Sequence, residues 1–290
     1  VHDQAIRSIN MGMTPDELAE HIKLPPHLAH APYLQPFYGK VSWSVRSVFA
    51  GNLGWFDGDS AMIEPLGRTE HAHLMARLAG GQEALYGHAR KSLEEGEYQA
   101  ALQLTTYLVQ LDPDSQEIKD IRVKALVALG EREENPNARH YYLTEALEIR
   151  DNFIAMADAR PEPAQVHKFP LEGYFELLAV NLDPVASADI DKRVGMKFPD
   201  VNTAYVIHVR RGVAEIRRVD AAAFDEEEFA IKVTADSRKW KEMLAKIRNP
   251  VTTLAGFEYE AGNTISFAAF LSMFEPQDPK LPYEPFRGKD

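Results

Sequence analysis

The hydrophobic period of this chain changes once, and that change constrains the fold more than any other feature. Between Glu70 and Arg150 apolar residues return at helical spacing, in segments separated by Gly80-Gly81, Gly96, Asp112-Pro113-Asp114 and Glu134-Asn135-Pro136. A stripe at that spacing hides one face of a helix, so these segments read as antiparallel helices. Further on, VGMKF, TAYVIHVRRG, VAEIRRV, FAIKVTA and GFEYEAG turn alternate residues to one side, as strands do. Separate blocks of the two patterns define a multidomain chain: an all-α, repeat-like domain followed by an α+β domain with a five-stranded sheet. At 290 residues, each can bury its own core. The division expected is 1–155 for the helical domain, 156–168 for a linker carrying Pro161 and Pro163, and 169–290 for the sheet domain with a Pro-rich tail.

Local signals fill in the elements. A short amphipathic helix from His2 ends before Gly12; Thr14, Pro15 and Glu17 then form a capping-box start for a second helix through His21, which Pro25-Pro26 stops. A loop with Pro32 and Pro36 leads into an aromatic helix of about Lys40 to Leu53. The segment ALYGHARKSLEEGEYQAALQLTTYLVQLDP places Gly96, Tyr98, Ala101 and Pro113 where a tetratricopeptide repeat has its turn, packing and terminal residues. One such unit cannot cover both of its faces, so neighbouring helices or a second subunit must do so. In the sheet domain, Pro170 to Asn181 and Asp236 to Ile247 read as helices, Arg211-Gly212 as a hairpin turn, and TISFAAFLSMF as a closing helix.

Several function classes are excluded or weakened. A formal charge of -12 gives no basic footprint for a phosphate backbone, so no nucleic-acid partner is expected. No apolar run approaches the roughly 20 residues of a transmembrane helix. The absence of cysteine removes thiol catalysis and thiolate metal sites. Glu70-His71-Ala72-His73 spaces two histidines as a zinc motif would, yet on a helix residues two apart diverge, and no Asp-His pair follows. His21, His27 and His30 lack a carboxylate at completing spacing, and nothing marks Ser42 or Ser44 as an activated nucleophile. No metal ligand and no catalytic residue is assigned in this chain. Arg210, Arg211, Arg217 and Arg218 read either as an anion-attracting patch or as a solvated sheet face, with Glu215 and the acidic run Asp225 to Glu228 favouring the latter.

The most specific stretch is FYGKVSWSVRSVFAGNLGWFD, from Phe37 to Asp57. With His2-Asp3-Gln4, Arg7, Asn10, Gly12, Leu24-Pro25-Pro26, Gly80-Gly81, Gly96-Glu97-Tyr98 and ARHYYLTEALEIR from Ala138, it resembles the C-terminal part of alkylsulfatases of the metallo-β-lactamase superfamily. The resemblance implies a dimerisation domain followed by a sterol-carrier-like domain, in a zinc-dependent sulfuric ester hydrolase whose two zinc ions sit in a preceding domain that this chain lacks. Its implied partners are a second copy of the chain as homodimer, that N-terminal zinc hydrolase domain, and an alkyl sulfate or other aliphatic ligand. Tyr38, with Gly39 and Trp43 beside it, would line the substrate entrance; the other reading of Tyr38 is a core tyrosine. Where relatives have His-Asn, this chain has Trp43-Ser44, which puts substrate preference in question. Phe175, Leu178, Tyr205, Ile207, Phe257, Phe267, Phe270, Leu271 and Phe274 are candidates for a hydrophobic groove taking the alkyl chain, or else ordinary packing. The compartment stays open, a periplasmic or secreted location being one the family allows. The rival reading is a free-standing dimeric lipid-binding or adaptor protein without enzymatic activity; an upstream HxHxDH-bearing domain would decide for the first.

Overall fold

Both hydrophobic periods are realised, each in its own compact unit of the computed structural model. Residues 1–152, 154–155, 161–274 and 280–285 are described. One unit comprises Val1–Ala155 with the segment beginning at Lys280, the other Met156–Pro279.

The helical unit opens with α1 (His2–Ile9), α2 (Pro15–His21), α3 (Pro26–Ala29) and α4 (Val41–Leu53). The capping box of α2 is formed: Thr14 N–H donates to Glu17 Oε2 at 2.8 Å and Glu17 N–H to Thr14 Oγ1 at 3.3 Å. Ala5, Leu18, Ala19, Ile22, Val45 and Phe49 make a small core between α1, α2 and α4. The array follows as α5 (Arg68–Ala79), α6 (Gln82–Glu94), α7 (Tyr98–Leu111), α8 (Gln116–Arg132) and α9 (Pro136–Asp151). Gly80 ends α5 in the left-handed region at φ 97°, which is why a glycine pair stands there. Consecutive helices from α6 to α9 pack against one another around Leu85, Leu108, Ile118 and Leu126.

The sheet unit contains α10 (Pro163–Lys168), α11 (Leu171–Val180), β1 (Asp191–Phe198), β2 (Thr203–Arg210), β3 (Val213–Val219), α12 (Ala221–Glu226), β4 (Ile231–Thr234), α13 (Ser237–Leu244), α14 (Pro250–Ala255), β5 (Glu258–Ala261) and α15 (Thr264–Leu271). The strand order is β3-β2-β1-β4-β5; β1 and β4 are parallel and the other pairs antiparallel. Arg211 and Gly212, at φ 51° and 80°, form the two-residue turn joining β2 to β3, where the glycine suits the left-handed backbone. Val194, Met196, Phe198, Tyr205, Ile207, Ile231 and Val233 share the buried face. Phe175 stacks on Tyr205 with centroids 3.9 Å apart, and Trp240 lies 5.9 Å from Phe175 and 6.2 Å from Phe267.

Two domain assignments are corrected. Of the span 156–168 read as linker, residues 156–160 lie outside the described residues, but 163–168 is α10, part of the sheet unit. Val166 is buried, its carbonyl accepts from Tyr174 Oη at 3.3 Å, and His167 meets Glu242 at 2.7 Å. A helix with a single buried residue leaves no periodicity to read. The tail placed with the sheet domain is the second correction: 275–279 and 286–290 lie outside the described residues, while 280–285 belong to the helical unit. Leu281 and Tyr283 are buried there, and nothing in the local sequence says against which core.

Candidate functional site

The site grows from a loop that would otherwise be free. Between α3 and α4 the chain carries Pro32 and Pro36 and makes only a short 3-10 turn, Pro32–Leu34, so several of its carbonyls take side-chain donors. Gln35 Nε2 donates to the carbonyls of Ala29 and Ala31, both at 3.0 Å. The turn between α8 and α9 supplies the rest. Asn135, fully buried, donates from Nδ2 to the carbonyls of Pro36 and Gly39, the latter at 3.4 Å; Asn137 Nδ2 donates to the Tyr38 carbonyl at 2.6 Å. Asn135 Oδ1 meanwhile accepts from Ala138 N–H at 2.8 Å, capping α9. Lys40 Nζ closes the arrangement on Glu133 Oε2 at 2.7 Å.

With the backbone of 36–39 held inward by these bonds, the side chains are turned outward. Tyr38 is 84% exposed and Phe37 65%, so within this unit Tyr38 is not a core residue. Trp43 is exposed, with Lys40 Nζ 5.9 Å from its ring. Trp55, at 75% exposure, and Phe56 lie 5.6 Å apart beyond α4, and Met62, Ile63 and Leu66 are exposed as well. A cavity of 610 Å³ beside the loop is lined by Ile22, Leu34, Gly39, Lys40, Ser42 and Glu133 among others, but not by Tyr38 or Trp43. At Gly39 a Cβ would meet nothing within 4 Å and the backbone is not left-handed, so nothing in this unit requires glycine there.

Burial works against the Glu133 carboxylate, but bonds from Lys40 and from the Asn135 N–H outweigh it and hold the group below the usual carboxylate range. A carboxyl depressed by folding adds stability above its unfolded value and loses it as pH falls through the folded one. Acidification through and below the ordinary carboxylate range should therefore loosen residues 36–40. Amide exchange against pH checks this: Glu133→Gln should flatten the profile, and an unchanged profile would remove Glu133 from the account.

The remaining candidates are placed plainly. His71 and His73 are exposed on α5, His71 edge-on to Tyr107 at 5.2 Å. His21, His27 and His30 are exposed. Among the described residues, no three His, Cys, Asp or Glu side chains converge as metal ligands would. Ser44 Oγ donates to the Lys40 carbonyl at 3.2 Å. Of the nine groove candidates, Phe175, Leu178, Tyr205, Ile207, Phe257, Phe267, Phe270 and Phe274 are buried in the core of the sheet unit and Leu271 packs against it, as the ordinary-packing alternative has it. A sheet face covered by α11, α13, α14 and α15 needs that volume filled, and these are among the residues that fill it. Arg217 and Arg218, adjacent on β3, do not share one face; Arg217 reaches Glu227 at 3.4 Å and Arg218 donates to Thr203 Oγ1 at 2.8 Å. The acidic run instead neutralises the outer face, where Asp225 takes Lys197 at 2.8 Å.

The sequence does not mark Asn135 and Asn137 as site residues. Asn135-Pro136 does announce a helix start, which explains the oxygen; the partners of the amide nitrogen lie in a loop 99 and 96 positions away.

Two family models together account for most of the chain. Alkyl sulfatase dimerisation matches residues 14–152 and Alkyl sulfatase C-terminal matches residues 160–282. The chain belongs to the alkylsulfatase family, of which it carries these two domains. A linear primary-alkylsulfatase of Pseudomonas sp. is 32% identical over 96% of this chain and 54% of its own length. An alkyl/aryl-sulfatase of Saccharomyces cerevisiae is 26% identical over 99% of this chain and 44% of its own. The solved structure of a stereoselective inverting sec-alkylsulfatase from Pseudomonas sp. shares the fold, with a TM-score of 0.81 at 23% identity over 98% of this chain and 44% of that one. The chain thus spans about half the length of the relatives it matches. No helix among the described residues is long and apolar enough to cross a membrane.

Proposed function

We propose that this chain is the C-terminal portion of a zinc-dependent alkylsulfatase, providing dimer contacts and one wall of the substrate pocket, with the reacting zinc centre supplied by a domain outside it. The observation that carries this reading is the anchored, outward-facing Tyr38. Three side-chain amides are spent on the backbone around it, and the ring they present is left in solvent. Such positioning has a use only if something else comes to meet the ring. Tyr38, Phe37, Trp55, Ile63 and Leu66 are large apolar side chains left exposed in this unit, and Gly39, unexplained within its unit, suits close approach by another backbone. A phenol offers an apolar body to an alkyl chain and a hydroxyl to a sulfate oxygen.

Alkyl-chain handling by the sheet unit also belongs to this proposal, but with the nine candidates packed as core it would need that core to open. The experiment begins with the protein from its source. An intact mass well above the 32.6 kDa of this chain, two zinc ions per protomer, a dimer by light scattering and sulfate release from dodecyl sulfate are expected. A source protein of 32.6 kDa with neither zinc nor sulfatase activity would overturn the reading in favour of a lipid-binding or adaptor role. In the zinc-bearing protein Tyr38→Ala should lower kcat/KM by roughly 10-fold, the order expected for one lost pocket contact; in this chain alone it should leave the thermal midpoint unchanged, because the ring is exposed here.

A further inference from the structure

The described tail, residues 280–285, is held in the helical unit in the way a receptor holds a peptide. It lies among α5, α7, α8 and α9, and a turn closes it, Glu284 N–H donating to the Leu281 carbonyl at 3.0 Å. Its main chain is read by side chains: Gln110 Nε2 donates to the Tyr283 carbonyl at 2.6 Å and the Arg68 guanidinium to the Pro282 carbonyl. Its own side chains at Leu281 and Tyr283 are buried. Under the Tyr283 ring, 4.2 Å from its centroid, sits the guanidinium of Arg122. That cation is itself buried and fixed, by Glu145 at 2.6 Å and by Thr106 Oγ1 at 2.9 Å. The platform is therefore built by the helices and does not depend on the tail for its counter-ion.

Two features show that the fit is incomplete. A cavity of 390 Å³ remains beside the segment, bordered by His71 and Tyr107 as well as by Pro282 and Tyr283. The Tyr283 hydroxyl is buried and has no hydrogen-bond partner among the described residues, a cost that a tyrosine-specific seat would have removed. The segment is held through two side chains and two carbonyls, with its hydroxyl unpaired among the described residues and open space alongside.

We propose that this groove is a peptide-binding site for a Leu-Pro-aromatic segment, that the C-terminal segment of the chain is its resident occupant, and that the same segment presented from outside competes for it. A contact of this size has a dissociation constant on the order of 10–100 μM. Tethering raises the local concentration of the resident segment to about 1 mM. The wild-type seat should then take an external peptide about 10- to 100-fold more weakly than a seat whose resident segment has been disabled.

The test uses the full chain and a fluorescein-labelled peptide of residues 278–287, followed by anisotropy. The double variant Leu281→Ala/Tyr283→Ala should bind with a constant of tens of μM and the wild type at least about 10-fold more weakly, by the tether argument above. A peptide carrying Tyr283→Phe should bind at least as well as the native one, and one carrying Tyr283→Ala should not bind. Equal affinity of the two chains, or no binding to a folded double variant at about 1 mM peptide, overturns the proposal. Should the double variant lose its fold, the wild type decides: excess unlabelled peptide must speed amide exchange at Tyr283 and Glu284, and exchange that stays unchanged rejects a replaceable segment.

Discussion

Gly195→Ala should destabilise the sheet unit by roughly 1–3 kcal/mol, although alanine is elsewhere the better strand residue by about 0.5–1 kcal/mol. Gly195 lies on β1, the central strand, between Val206 of β2 and Lys232 of β4, and it faces away from the main core. That outer face is occupied at this point by a stacked pair, Phe224 and Phe229, with ring centroids 5.0 Å apart. A methyl group on residue 195 would come within 2.7 Å of Phe224 Cε2 and 2.8 Å of Phe229 Cδ2. Neither ring has an easy retreat. Phe224 is fully buried on Ala204 and Val206, with Lys232 Nζ 5.2 Å above it, and Arg193 lies 5.7 Å over Phe229. The backbone of Gly195 is not left-handed, so crowding alone sets the sign. Exchange protection of β1 amides and the thermal midpoint measure the loss. In a Phe229→Ala background the penalty should shrink by at least about 1 kcal/mol through pairwise coupling. A variant with a raised midpoint would show that the rings move aside freely.

Asn135→Ala is expected to cost roughly 2–4 kcal/mol, an N-cap of about 1 kcal/mol plus the penalty of buried carbonyls left without a donor. The orientation of this amide is fixed by its surroundings: reversed, it would set its NH₂ against the N–H of Ala138. Asn135→Asp separates the two roles. A carboxylate still caps α9 but cannot donate to Pro36 or Gly39, so exchange should rise across residues 36–40 while the first turn of α9 stays protected. Alanine should expose both. If aspartate leaves the loop protected, Asn137 and Lys40 suffice to hold Tyr38 outward and the central role given to Asn135 is wrong.

How much of this was legible varies from element to element. The α2 capping box, the Arg211-Gly212 turn, the five strands and the aromatic helix at α4 rest on chemistry between near neighbours, and the residues that enforce them stand together in the chain. The α10 helix, hidden under a linker-like composition, and the return of residues 280–285 to the helical unit rest on distant partners and left no local trace. The candidate site divides in the same way. Tyr38 stood out by resemblance, whereas Asn135 and Asn137, which orient it, look in the sequence like an ordinary helix start.

The two hydrophobic periods thus determined, unaided, that there would be a helical unit and a mixed sheet, because alternation and helical spacing are properties of a single segment. They also marked candidates for burial. What covers each of them was decided only in three dimensions. Phe175 and Tyr38 both sit in aromatic, apolar stretches; one is 2% exposed beneath a stack of rings and the other 84% exposed on an anchored loop. The free energy of burying a ring depends on the surface it meets, and that surface is assembled from segments far apart along the chain.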